Sequence, residues 1–247
     1  MRYFLDISYD GTAYHGWQIQ NNASTVQQVL GEALSTILRQ EVVTTGSGRT
    51  DKGVHAINQV VHFDLDPNIK TQSLIHKLNG LLPKDISANE LRRVQDDAHA
   101  RFSAVSRSYL YRMHTRKSPF LEGKSFLFTR HLDLEAMNLS CDIIKRWLDF
   151  ESLSKVHTDV HTFNCEIFDA YWESHNDEIN FHVSANRFLR GMIRAMVGTM
   201  ILVGESKINL DTFEAILESK DRTKAGSCVP AHGLYLKDII YPKEIYI

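Results

Sequence analysis

Helices are too few between the strand-like runs of this chain for simple βαβ alternation, and hairpin-like pairs of strands recur. The first run sets the pattern: Tyr3, Leu5, Ile7 and Tyr9 fall on one side, Phe4, Asp6 and Ser8 on the other. That alternation predicts a half-buried strand ended by Asp10-Gly11. Further strands are expected at Val42–Thr45, Val60–Asp64, Ile86–Val94, around Tyr109–Met113, at Thr162–Glu173, around Ile179–Ala185 and at Gly233–Tyr241. Thr25-Val26-Gln27-Gln28 has the form of a capping box. Behind it Val26, Val29, Leu30, Ala33, Ile37 and Leu38 recur at helical spacing. Other helices are expected at Thr71–Leu82, stopped by Pro83, and at Met137–Leu148, Phe188–Val203 and Leu210–Ser219. The fold class that fits is α+β with a mainly antiparallel sheet.

A chain of 247 residues, 43% hydrophobic and 23% charged, has the make-up of an ordinary soluble protein with its own core. Its two halves have a similar order of elements, with a division expected between residues 1–105 and 106–247. Cys141, Cys165 and Cys228 lie far apart with no CxxC pair, which fits a reducing compartment and argues against a disulfide framework or structural zinc. The N-terminus lacks a signal-peptide layout and no apolar run reaches a membrane span, so a cytoplasmic protein is expected.

The net charge of −2 does not suggest nucleic acid, but its distribution is polarised. Residues 101 to 130 hold seven Lys or Arg and one acid, residues 131 to 180 eleven acids and three basic residues. Residues 181 to 200 then carry Arg187, Arg190 and Arg194 and no acid. Such a chain can present a basic groove to phosphates, although solvated charged faces would read the same way.

The most informative stretch is Gly46-Ser47-Gly48-Arg49-Thr50-Asp51-Lys52-Gly53. Three glycines in eight residues allow a sharp bend that displays Asp51, and the GxxxxGK[ST] spacing of a phosphate loop is absent. Arg49 and Lys52 favour the carboxylate form of Asp51, which suits a nucleophile or base. A plain surface turn with an incidental ion pair has the same residues. In the helix expected from Phe188, Leu189, Met192, Ile193, Met196, Val197 and Met200 form an apolar stripe. Arg187, Arg190 and Arg194 make a second, narrower stripe that could track a phosphate backbone or remain an exposed face, Arg194 lying deepest. Tyr109 and Tyr111 share one strand face with Arg107, where a ring could hold a flipped base or simply fill the core. Of twelve histidines, only His157 and His161 have a suggestive spacing, in a segment that does not read as a helix, so no metal site is expected.

Taken together, five segments in order closely resemble the tRNA pseudouridine synthase A family. They are Ile7–Gln18, Gly48–Ala56, Ala100–Ala104, Arg190–Arg194 with Val197-Gly198, and Ala225-Gly226 with Pro230–Leu236. The resemblance implies two RNP-like (ferredoxin-like) α/β halves sharing a continuous, mainly antiparallel sheet with a central cleft. It implies an isomerase of uridines 38, 39 and 40 in the tRNA anticodon stem-loop, a homodimer with tRNA bound across both subunits, and no cofactor. Carried over by motif, Asp51 is the catalytic carboxylate and Tyr109 stacks on the target uracil. Arg194 pairs with Asp51, and Arg49 helps hold the extruded nucleotide. Arg187 and Arg190 are the further candidates for substrate contacts. The weakest correspondence lies in residues 120 to 180, where only Asp149, Phe150 and Ser152 match the family's segment after the helix. Ser227-Cys228 replaces a more usual Pro-Thr or Pro-Ala pair. A catalytically silent RNA-binding protein and a hydrolase using Asp51 covalently are the competing readings; the latter lacks a second acid beside Asp51.

Overall fold

Strand β1 (Arg2–Tyr9) is covered on both faces, not one: Phe4 and Asp6 are buried as well as Leu5 and Ile7. In the computed structural model, which describes residues 1–66, 70–155 and 160–247, β1 runs between two antiparallel neighbours. These are β3 (His55–Asp64) and β4 (Ile86–Arg93). The acid on the second face is accommodated by pairing, since Arg92 donates to Asp6 at 2.7 Å. Burial still pushes the Asp6 carboxyl above its usual range, with Arg92 pulling the other way.

Two compact units make up the chain, one of Met1–Arg107 with Tyr235–Ile247, the other of Ser108–Leu234. The first contains β1, β3, β4, the two-residue β2 (Thr45–Gly46) on β3, helices α1 (Val26–Leu38) and α2 (Thr71–Leu81), and the final strand. That strand, β9 (Leu234–Ile240), lies parallel to β3, with His55 opposite Tyr235 and Ala56 opposite Leu236. The tail beyond it also returns here, as Gln95 N donates to Ile245 O and Phe4 packs on Tyr241 and Tyr246. A single cut at 105/106 does not describe this division, because hydrogen bonds to β3 and residues 94–95 draw the end of the chain back.

Thr25 caps α1 by accepting from Gln28 N, but the reciprocal half of a capping box is missing, since the Gln28 amide donates to Glu32 instead. The buried face of α1 is Val26, Leu30, Ala33 and Leu34; Val29, Ile37 and Leu38 are only half-buried. Behind β3, His62 accepts from Ala100 N through Nδ1. Burial and the Arg2 charge lower its pKa from 6.5 to about 4. An unfolded chain therefore takes up this proton first as pH falls from 6.5, and the folded state loses stability until about pH 4. We expect the urea midpoint to fall less steeply between pH 6.5 and 4 in His62→Asn than in the wild type, by an uptake difference approaching one proton near pH 5.

In the second unit β5 (Ser106–His114), β8 (Glu178–Ala185) and β7 (Ile167–His175) lie side by side, and β6 (Phe126–Leu127) pairs with β5. Strand β8 has the expected alternation, with Ile179, Phe181, Val183 and Ala185 buried. Helix α3 (Leu134–Arg146) starts earlier than its apolar residues suggest because Asp133 caps it, accepting from Ala136 N at 3.0 Å. It packs on β7 and on α4 (Met192–Gly204), and α5 (Leu210–Glu218) packs on both helices.

The helix expected from Phe188 begins only at Met192. Gly191, at φ 73, breaks the helical path ahead of it. Arg187 and Arg190 therefore precede α4, and the three arginines do not form one helical row. Arg194 sits in the first turn, not deep in the helix. No helix among the described residues is long and apolar enough to cross a membrane.

Candidate active site

Two segments some forty residues apart in sequence build the glycine-rich loop together. Residues 11–17 lie against residues 46–55, and each glycine at their contact has its own reason. A Cβ on Gly11 would sit 1.9 Å from Val54 O, and one on Gly16 would sit 2.4 Å from Thr50 O. On Gly46 it would meet the Trp17 ring at 2.6 Å. Gly53 is needed for its left-handed φ of 77. Gly48 differs: a Cβ there meets nothing within 4 Å, so the fold makes no steric demand for glycine.

Hydrogen bonds then hold the loop from both sides. Trp17 N donates to Thr50 O at 3.2 Å, and Gly53 N donates to Tyr14 O at 3.4 Å. The Thr50 hydroxyl lies 2.8 Å from the buried Tyr9 hydroxyl. Gln59, buried on β3, donates to Gly48 O at 2.9 Å and accepts from the Ser47 hydroxyl at 3.1 Å. Asp51 O accepts from Val54 N, closing a tight turn. Asp51 is thus held by backbone at the head of this turn, half-buried, with exposed Arg49 and Lys52 on either side. Tyr14, which packs behind the loop, donates to Asp85 at 2.7 Å; burial first, and Asp85 second, push its phenol pKa up.

Sequence reasoning singled out Asp51 and passed over what fixes it: Tyr9, Trp17, Thr50, Gln59 and His55. The signal was present in the first family-like segment, whose Tyr9, Gly11, Gly16 and Trp17 touch the loop. His55 Nδ1 lies 3.1 Å from Gly11 N and 3.0 Å from Asp10 Oδ1. It can accept from the first as a neutral ring or donate to the second when protonated at Nδ1, one at a time. Its ring stacks on Tyr235 at 4.5 Å.

The second unit holds the other residues singled out. Tyr111 is core: fully buried, it donates its hydroxyl to Pro230 O at 2.9 Å. Tyr109 is only half-buried and meets Phe188 edge to face at 5.2 Å, so the segment carrying Arg187 and Arg190 passes beside it. Arg194 is positioned by its neighbours, Nε donating to Val229 O at 2.7 Å while its own carbonyl accepts from Val229 N at 3.2 Å. The strap from Gly226 to Gly233 that supplies Val229 is fastened at both ends. Gly226 N donates to the Thr199 hydroxyl at 3.0 Å, and a Cβ on Gly233 would meet the Tyr111 ring at 2.7 Å. The replacement pair Ser227-Cys228 belongs to this strap, where a Cβ on Gly198 of α4 would lie 1.9 Å from Ser227 O. Phe150 and Ser152 are fully buried and Asp149 pairs with Lys220, which gives that segment a packing role.

Among the described residues no group of three His, Cys, Asp or Glu is placed to hold a metal ion; His157, considered above with His161, lies outside them.

The sequence matches the family model described as tRNA pseudouridine synthase over residues 7–103 and 148–242. The chain belongs to the tRNA pseudouridine synthase family. A relative named tRNA pseudouridine synthase A in Porphyromonas gingivalis is 46% identical over 250 residues, covering 100% of this chain and 99% of its own. One of the same name in Bacteroides thetaiotaomicron is 46% identical over 99% of this chain and 92% of its own. Another, in Caldicellulosiruptor bescii, is 38% identical over 96% and 98%. As a member of this family the chain is an isomerase that acts on tRNA. Asp51, Arg49, Arg187, Arg190 and Arg194 all fall within the residues matched to the family model, whereas Tyr109 lies in the unmatched stretch 104–147.

Proposed function

We propose that this pseudouridine synthase isomerises uridines 38, 39 and 40 of the tRNA anticodon stem-loop, with Asp51 as its catalytic carboxylate. The observation that carries this reading is the doubly clamped turn, which fixes the Asp51 backbone while leaving its side chain half-buried. The reaction breaks C1′–N1, forms C1′–C5, moves a proton onto N1 and releases the C5 proton to solvent. Nothing is oxidised and no water is consumed, so one carboxylate and a pocket that retains the detached uracil suffice.

In this reading Arg49 helps hold the extruded nucleotide, Tyr109 stacks on the uracil, and Arg194, oriented through Val229 O, pairs with Asp51. Extrusion costs a few kcal/mol, which stacking and phosphate contacts offset. Arg187 and Arg190 bind the backbone. The enzyme works in the cytoplasm as a homodimer, tRNA spanning both subunits. Tritium release from tRNA labelled at uridine C5, with the modified positions mapped by reverse transcription after carbodiimide treatment, tests the reading. No release by the wild-type enzyme, or release from positions other than 38–40, refutes it.

Arg190 is exposed in the turn before α4, and its backbone carbonyl accepts from Lys155 N. We expect Arg190→Ala to weaken tRNA binding several-fold at low salt and to reduce the slope of log Kd against log salt by about 1. An unchanged slope would assign Arg190 to structure alone.

A further inference from the structure

Phe102 is a large apolar side chain that remains 74% exposed although the backbone beneath it is tightly fixed. His99 Nδ1 accepts from Arg101 N at 3.0 Å and from Phe102 N at 3.3 Å. The Ser103 hydroxyl accepts from His99 N at 3.0 Å, and Ser103 N donates to His99 O at 2.9 Å. Arg107 closes the loop from below by donating to the carbonyls of Ala104 and Arg101. The residue before the loop is buried: Ala100 N donates to His62, and Ala100 O accepts from the Tyr241 hydroxyl at 2.6 Å.

The ring itself is supported as well. Phe102 rests on His99 at 4.4 Å, and His99 meets His62 of β3 edge to face at 4.6 Å. The guanidinium of exposed Arg101 lies 5.3 Å from the Phe102 centroid. A rigid loop that holds a phenyl ring out into water, with an arginine beside it, does not serve the core. Hydrophobic burial would draw the ring inward, and the hydrogen bonds within the loop keep it out.

An exposed aromatic ring paired with arginine suits one chemistry above others. A nucleobase stacks on the ring or on the guanidinium plane, and the same cation reaches a phosphate. Because this enzyme acts on tRNA, its partner of that chemistry is at hand. We propose that Phe102 and Arg101 form a second tRNA contact, taking an unpaired base and its adjoining phosphate away from the reacting uridine. Distance along β3 supports the separation. His62, under this loop, is seven residues beyond His55, roughly 23 Å at about 3.3 Å per residue.

A contact of this kind acts on binding and not on turnover. Phe102→Ala should raise the Kd for full-length tRNA by roughly 5- to 150-fold, the range for one lost base stack. Phe102→Trp should keep wild-type affinity, and Arg101→Ala should weaken binding and flatten its salt dependence. At saturating tRNA kcat should be unchanged for all three, and the melting temperature should stay within a degree or two because the ring is exposed. Kd within twofold of wild type for Phe102→Ala overturns the proposal. So does a loss of affinity that sedimentation traces to dissociation of the protein, since the ring would then be covered by a second copy of the chain.

Discussion

Asp51→Ala should abolish tritium release from uridine-labelled tRNA, lowering the rate by at least ~10⁴-fold, while tRNA binding and the melting temperature stay close to wild type. The bonds that shape the turn make this separation of effects expected. They run through Thr50 O, Gly53 N, Asp51 O and the Thr50 hydroxyl, and truncating the Asp51 side chain removes none of them. A variant that still folds and binds but does not react places the carboxylate in the chemistry. Asp51→Asn keeps the shape and removes the charge, and the same loss there would show that ionisation is required. Asp51→Ala retaining even a tenth of the wild-type rate would remove it from the reaction and leave the family's activity to another residue.

The second large effect is on stability and lies far from any reacting atom. Gly198 sits mid-way along α4, where a Cβ would approach Ser227 O to 1.9 Å. Gly226, two residues from Cys228, would in turn drive its Cβ to 2.6 Å from the Gly198 carbonyl carbon. Helix and strap meet backbone to backbone, and α4 has no slack, since nearly all its residues are buried. Alanine at 198 must displace the strap or the helix, for a loss of about 3 kcal/mol, or about 10 °C in melting temperature. Moving the strap also moves Val229 O, which holds Arg194, so residual activity should fall with stability. Gly48→Ala is the control. With open space around its Cβ it should melt like the wild type, and a fall in tRNA affinity there would mean that substrate, not protein, needs the room.

What could be read from the sequence divides along physical lines. Strands with one covered face declared themselves by alternation, as β8 shows, and a helix with a stop signal, α2 ahead of Pro83, lay close to where expected. Alternation misled at β1, where a period of two recurs although both faces are buried, because Arg92 makes Asp6 tolerable inside. Apolar periodicity misled at α4. Leu189 has the spacing of a helical residue and is buried, yet it belongs to the turn before Gly191, and burial does not report backbone conformation. That error carried Arg187 and Arg190 into a row they do not form. The motif around Asp51 was legible, but the role of its supports was not. Tyr9 and Trp17 lie in a family-like segment that marks them without saying what they touch, and Gln59 acts through tertiary contacts that no local pattern encodes.

The return of Tyr235–Ile247 to the first unit has a consequence for synthesis. A ribosome delivers β1, β3 and β4 early, with the carrier of Asp51 among them, but the neighbour of β3 emerges last. Until then one margin of β3 stands open at His55 and Ala56, directly after the loop, and Gln95 lacks its partner at Ile245. The intervening stretch Ser108–Leu234 can meanwhile collapse by itself, as a compact unit of its own. Residues 1–107 are therefore completed only after Ser108–Leu234 has been made, and an amber codon near residue 235 would cost the first unit its β3 neighbour as well as the strand itself.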